Sequence, residues 1–181
     1  MIAAVVDDLL IASDSDEGTR KVIETLRLAG LKAKDLGFPG YMIGMHIQRR
    51  EDGTITLNQR LYAETLLRRF NMEDCTPAEI PARTNVVLSS KLEPKTEEEH
   101  RIMNEKPYRA LVGALLYLVL TRPDIAVAVN ECCRYLHNPG STMWSAAKQI
   151  LKYIKGTLDM KLVFNTNTDF KLEVYVDASY A

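Results

Sequence analysis

Residues 75 to 100 divide this chain into two stretches of different periodicity, and that division constrains the fold more than any other feature. The segment carries Pro77, Pro81 and Pro94, the pair Ser89-Ser90 and the acidic run Glu97-Glu98-Glu99. Proline removes a backbone donor and disfavours a helical residue before it, so the segment reads as a linker with little structure of its own. Before it, apolar residues come in short β-type runs broken by turns. After it they recur mainly at helical spacing. The expected class is therefore α+β.

In the first stretch, Ile2 to Val6 and Leu9 to Ala12 are two short β-type runs separated by Asp7-Asp8, which reads as a tight hairpin. Asp14-Ser15-Asp16 offers helix caps, and Val22, Ile23, Leu26, Leu28 and Ala29 give a helix stopped by Gly30. Tyr41 to Arg49 is expected as one strand, turning at Asp52-Gly53 into a second, Thr54 to Leu57. A helix is expected over about 58–70, with Tyr62, Leu66, Leu67 and Phe70 on its apolar side. Beyond the linker, helices are expected over about 107–120, 122–137 and 142–156. The last sets Trp144, Ala147, Leu151 and Ile154 on one face, Lys148, Lys152 and Lys155 on another, and closes at Gly156. Strands over Lys161–Phe164 and Lys171–Val176 complete the reading. Both ends fall on strands that would need neighbours, the pattern expected of a fragment.

Composition narrows the function classes. With 181 residues, 46% hydrophobic and 26% charged, the chain can bury a core and is not of the disordered type. A net charge of −1 provides no global basic field, so any nucleic-acid contact must come from local clusters. Three cysteines, two of them adjacent (Cys132, Cys133), make no disulfide framework and suit an intracellular setting, cytoplasmic or nuclear. The longest apolar run, Ala110 to Leu120, is too short to span a bilayer, so no membrane partner is expected.

Asp7 and Asp8 are the first candidates for chemistry. Adjacent carboxylates on a rigid turn can hold a divalent cation, because Mg²⁺ takes oxygen ligands and phosphoryl transfer needs a metal clamp. A solvated Asp-Asp turn is the bland alternative. A receiver-domain reading would use the same pair together with Lys106-Pro107-Tyr108. It requires a helix directly after the acidic pair, where Leu9 to Ala12 reads as strand, and a phosphoacceptor Asp ending a buried strand, where Asp52 sits in a polar stretch. It is set aside.

The blocks VVDDLLIAS, KDLGFPGYMIGMHIQR, GTITLNQRLYAETLLRRFNMEDC, YRALVGALLYLVLTRPDIAVAVN and WSAAKQILKYIKGTLD occur in this order. Together they resemble the reverse transcriptase of copia-type LTR retrotransposon polyproteins, over essentially residues 5 to 181. The resemblance implies residues 1–74 as partial polymerase palm, primer-grip hairpin and thumb helix, and 75–100 as linker. It implies 101–160 as a helical connection region and 161–181 as the start of a ribonuclease H-like domain. It implies Asp7 as a direct metal ligand and Asp8 as a supporting one, in a polymerase that uses two Mg²⁺ to activate the primer 3′-hydroxyl and stabilise the incoming triphosphate. Tyr41, Met42 and Gly44 match the primer grip, with Gly44 either allowing close backbone approach or marking a strand bulge. Asp177, in Val174 to Ser179, matches the first acidic metal ligand of ribonuclease H.

The implied partners are a template–primer duplex of RNA and DNA and a deoxynucleoside triphosphate. The family usually has Tyr where this chain has Val5, and Ser179-Tyr180 departs from its usual Asp-Trp. The upstream palm aspartate, fingers and nucleotide-binding segment would precede Met1, so this chain alone is expected not to polymerise. A non-catalytic nucleic-acid-binding or scaffolding remnant is the alternative, as is a degenerate piece without activity.

Arg60, Arg68 and Arg69 lie on the expected thumb helix and could contact a phosphate backbone. The lysine stripe Lys148, Lys152 and Lys155 is the second basic cluster, although such stripes are commonly solvated faces opposite a core. Cys133 and His137 stand at i,i+4, yet a structural zinc site wants four ligands. His46 and His100 have no partner pattern.

Overall fold

The runs on either side of the acidic pair fold back on each other in the computed structural model, which describes residues 1–165 and 174. β1 (Ile2–Val5) and β2 (Asp8–Ile11) are antiparallel, with Ile2 opposite Ile11 and Val5 opposite Asp8. This register moves the turn one residue towards the N-terminus, onto Val6-Asp7. α1 (Asp16–Leu28) follows, with Ser15 Oγ accepting from the Gly18 N–H at 3.1 Å. Asp16 and Glu17 in its first turn suit the positive end of the helix dipole. Of these three elements only Ile23 is buried, and none packs extensively on the rest of the molecule.

The expected strand from Tyr41 to Arg49 is two strands. β3 (Tyr41–Met42) turns at Ile43-Gly44 and returns as β4 (Met45–Arg49), pairing Tyr41 with His46 and Met42 with Met45. Ile43 and Gly44 have φ of 48° and 66°, and two successive positive φ values make the tight reversal whose twist suits a hairpin. β4 pairs antiparallel with β5 (Ile55–Asn58), His46 opposite Asn58 and Arg49 opposite Ile55. The Asp52-Gly53 turn between them is as expected, with Asp52 Oδ1 accepting from the Thr54 N–H at 2.9 Å.

α2 (Arg60–Arg69) leads into the linker, which is more structured than its prolines suggest. The Ala78 N–H donates to Lys152 O at 3.1 Å, Gln149 Nε2 to Ile80 O at 3.1 Å, and Tyr135 Oη to Leu88 O at 2.9 Å. The linker is thus a strap across the helices. A 3₁₀ turn over Ser90–Leu92 precedes α3 (Glu97–Asn104), a helix that the linker reading overlooked. Its start is a capping box: Thr96 Oγ1 accepts from the Glu99 N–H while Glu99 Oε2 accepts from the Thr96 N–H.

α4 (Tyr108–Leu118), a 3₁₀ turn (Pro123–Ile125), α5 (Ala126–Cys133) and α6 (Ser141–Gly156) complete the helices. The helix expected over 122–137 is therefore broken at its start and shorter at its end. The core lies between α2, α4, α5 and α6. Leu66, Leu111, Leu115, Leu118, Val129, Met143, Ile150, Leu151 and Ile154 are each no more than 1% exposed. Burial of such side chains contributes roughly 1.5–3 kcal/mol apiece, an upper figure before chain entropy is counted.

β6 (Leu162–Phe164) pairs antiparallel with β5, Thr56 opposite Val163. It completes a four-stranded sheet of order β3-β4-β5-β6. All of the expected strand Lys171–Val176 except Val174, and Asp177, lie outside the described residues. The described residues are 43% helical and 13% strand, and no helix among them is long and apolar enough to cross a membrane.

Candidate functional site

The acidic hairpin presents its two carboxylates from different local structures. Asp7 is a turn residue and Asp8 is the first residue of β2, opposite Val5. Both are exposed, and among the described residues neither carboxylate has a hydrogen-bond or ion-pair partner. Val6, ahead of Asp7, has φ 52° and is 96% exposed. A β-branched residue rarely adopts that conformation, because its Cβ crowds the backbone. Two hard oxygen donors at one hairpin end are of the type Mg²⁺ takes, since that ion is commonly held by one or two carboxylates with water and substrate phosphates completing the octahedron. Among the described residues no group of three or more His, Cys, Asp or Glu side chains could hold a metal ion. That statement covers Cys133 with His137 as well as the hairpin.

The second hairpin is tied to the helical core. Tyr117 of α4 donates its hydroxyl to the Ile43 carbonyl at the hairpin tip. The Tyr117 ring meets Tyr62 of α2 edge-on, with centroids 5.0 Å apart, and Tyr62 Oη donates to Ala114 O at 3.2 Å. Of the residues proposed for the primer grip, Tyr41 is 59% exposed, Met42 is half-buried and Gly44 lies against Tyr117. Gly44 is neither a strand glycine nor a bulge. It is the second residue of the turn, and a Cβ there would sit 2.8 Å from the Tyr117 oxygen. Sequence reading missed Tyr117 altogether; the nearest signal was Gly44 inside a strand pattern, which suggests a bulge or a close approach to the backbone.

The three arginines of α2 are not equivalent. Arg60, at the helix start, pairs with Glu64 at 2.9 Å and with Asp159. The Glu64 hydrogen bond, then the Asp159 charge, hold its guanidinium pKa above the usual value. Its charge is already answered within the chain. Arg68 and Arg69, in the last turn, are exposed; among the described residues Arg68 reaches only Thr65 Oγ1 at 3.4 Å, and Arg69 lies 5.4 Å from the Phe70 ring centre. These two remain as the phosphate-facing candidates. On α6, Lys148 lies 5.7 Å from the Trp144 ring centre, and Lys148 and Lys152 rim a groove of about 680 Å³ between the strap, α5 and α6. None of Asp7, Asp8, Tyr41, Met42 and Gly44 lines that groove.

A buried ionic node also went unread. Arg122, 5% exposed, bonds Asp124 through Nε at 2.9 Å and Nη2 at 2.7 Å, and reaches Thr157 O at 3.0 Å. Burial pushes the Asp124 carboxyl up, but hydrogen bonds from Arg122 and Tyr153 outweigh it and leave the group below the usual aspartate value. The node fixes the 3₁₀ turn against the C-terminal end of α6. It is structural chemistry rather than a site.

Comparison with known proteins covers nearly the whole chain. It is 40% identical over 178 residues to the retrovirus-related Pol polyprotein from transposon TNT 1-94 of Nicotiana tabacum, matching 97% of this chain and 13% of that protein. It is 33% identical over 178 residues to an uncharacterized mitochondrial protein of Arabidopsis thaliana, of which it spans 70%. The retrovirus-related Pol polyprotein from transposon RE2 of Arabidopsis thaliana is 33% identical over 182 residues, and the chain spans 12% of it. No protein-family model and no solved structure matches the chain.

Proposed function

Because the chain belongs to the family of copia-type retrotransposon Pol proteins, we propose that it is a segment of the reverse transcriptase. It would run from the acidic palm hairpin (β1–β2) through the primer grip (β3–β4), the thumb helix α2 and the connecting helices to the opening of a ribonuclease H domain. What supports this most directly is the order of parts. An acidic-tipped hairpin, a second hairpin braced on helices, and an arginine-bearing helix follow one another in a chain similar to Pol polyproteins along its length.

In this reading Asp7 and Asp8 hold Mg²⁺, and Asp177 is the first acidic ligand of the ribonuclease H site. Bound at such carboxylates, the cation supplies charge stabilisation for RNA-directed DNA synthesis. Tyr41 and Met42 bear on the primer end, and Arg68 and Arg69 contact phosphates of the template–primer duplex. The deoxynucleoside triphosphate needs parts of the polymerase other than these. The two carboxylates on one hairpin under-coordinate a pair of metal ions, so this 181-residue chain by itself is expected not to extend a primer.

The test is binding and metal contact together. The chain should bind a template–primer duplex with an affinity that falls as salt rises, and Arg68→Glu with Arg69→Glu should weaken it about tenfold or more. Mn²⁺, replacing Mg²⁺, should broaden amide resonances near Asp7 and Asp8, and Asp7→Asn should remove the effect. Salt-dependent binding without a Mn²⁺ response would favour a non-catalytic nucleic-acid-binding segment. Neither response would sink both readings. Template-dependent extension by this chain, abolished by Asp7→Asn, would overturn the expectation of inactivity.

A further inference from the structure

We propose that Tyr117 is the positioning residue of the β3–β4 hairpin, setting the angle at which Tyr41 and Met42 meet a recessed primer end. The inference rests on the primer-grip reading above and adds a partner that reading did not contain. Three observations carry it. First, the hairpin tip is conformationally unfavourable. Ile43 is β-branched and has φ 48°, a conformation that such a residue rarely adopts because its Cβ crowds the backbone. Second, a helix residue reaches that tip: the Tyr117 hydroxyl donates to the carbonyl of that same Ile43. Third, the space beside it is closed, since a Cβ on Gly44 would come 2.8 Å from the Tyr117 oxygen.

Tyr117 is itself fixed. Its ring packs edge-on against Tyr62, whose hydroxyl is held by Ala114 O one turn earlier on α4. A chain of rigid contacts therefore runs from two core helices to the hairpin tip. On the hairpin, Tyr41 and Ile43 remain exposed at 59% and 48%. A reversal held at its tip by one hydroxyl, with an exposed aromatic beside it, is suited to present that aromatic at a fixed angle. Without the hydroxyl, β3, only two residues long, has few bonds of its own to keep it there.

The experiment compares the wild-type chain with Tyr117→Phe, which keeps the ring packing and removes the hydroxyl. Two quantities are read: amide hydrogen exchange in residues 41–47, and the ratio of affinities for a recessed-primer duplex and a blunt duplex of equal length. Tyr117→Phe should speed exchange in the hairpin about tenfold while leaving α4 to α6 unchanged, and should reduce the recessed-over-blunt ratio about threefold or more. Unchanged hairpin exchange would overturn the role of Tyr117 and leave the polymerase reading standing. Faster exchange with the duplex ratio unaltered would overturn the positioning role and count against the primer-grip reading too. A second variant guards against loss of fold. Gly44→Ala should loosen the hairpin more in wild type than in Tyr117→Phe, where the colliding oxygen is gone; equal effects in both would overturn the proposal.

Discussion

Single residues in this molecule show how burial changes the meaning of a polar group. Arg122 and Asp124 form a bidentate pair in a site where the guanidinium is 5% exposed. Removing one partner leaves the other charge with poor solvation, so Asp124→Ala is expected to cost about 3 kcal/mol, read by urea denaturation. The pH dependence follows the same logic. Asp124 has a folded pKa below its unfolded value, so its contribution is present above the ordinary aspartate range and is lost as pH falls through the lower folded value. Stability should decline in the wild type below about pH 4, and the Asp124→Asn chain should lose that part of the decline.

Thr56 is the converse case. It is 1% exposed, and among the described residues its hydroxyl has no hydrogen-bond partner. An unpaired buried hydroxyl costs free energy, and valine suits a strand. Thr56→Val should therefore be neutral or stabilising by up to about 1 kcal/mol, and a loss of more than that would show that the hydroxyl is satisfied in solution.

Elements differ in how much of their stability is local. α3 begins with a complete capping box, with Thr96 and Glu99 satisfying each other's backbone N–H groups. Thr96→Ala should cost about 1 kcal/mol, concentrated in α3 and visible as faster exchange there. The Lys95 and Thr96 backbone donors hold the Glu99 carboxyl below the usual glutamate value, so the box is intact above the usual value and loosens as pH falls through the lower folded one. The Thr-x-x-Glu spacing was present in the sequence, but three consecutive glutamates beside prolines read as a solvated connector. α6 is the opposite. Its apolar face was legible from period alone, and Ala147, Leu151 and Ile154 are buried as that period requires. Lysines on the other face then fall where solvent and the strap meet it.

The whole molecule has a cooperative part and a loosely attached part. α2 and α4 to α6 share one apolar core, while β1, β2 and α1 bury almost nothing. Hydrogen exchange should therefore be fast across residues 2–28 and slow, approaching global unfolding, across 108–154. Equal protection in both would contradict this division. The sequence by itself determined the hairpin around the acidic pair, the turn at Asp52-Gly53, the amphipathic helices and the kinship with Pol proteins, because each is written in neighbouring residues or in period. Only the tertiary structure decided that Tyr41 to Arg49 reverses at Ile43-Gly44, that Arg60 meets Asp159 as well as Glu64, that the linker straps α6, and that Leu162–Phe164 joins β5. Those outcomes depend on partners tens of residues away, and a strained or charged group reveals its state only once the group opposing it is in place.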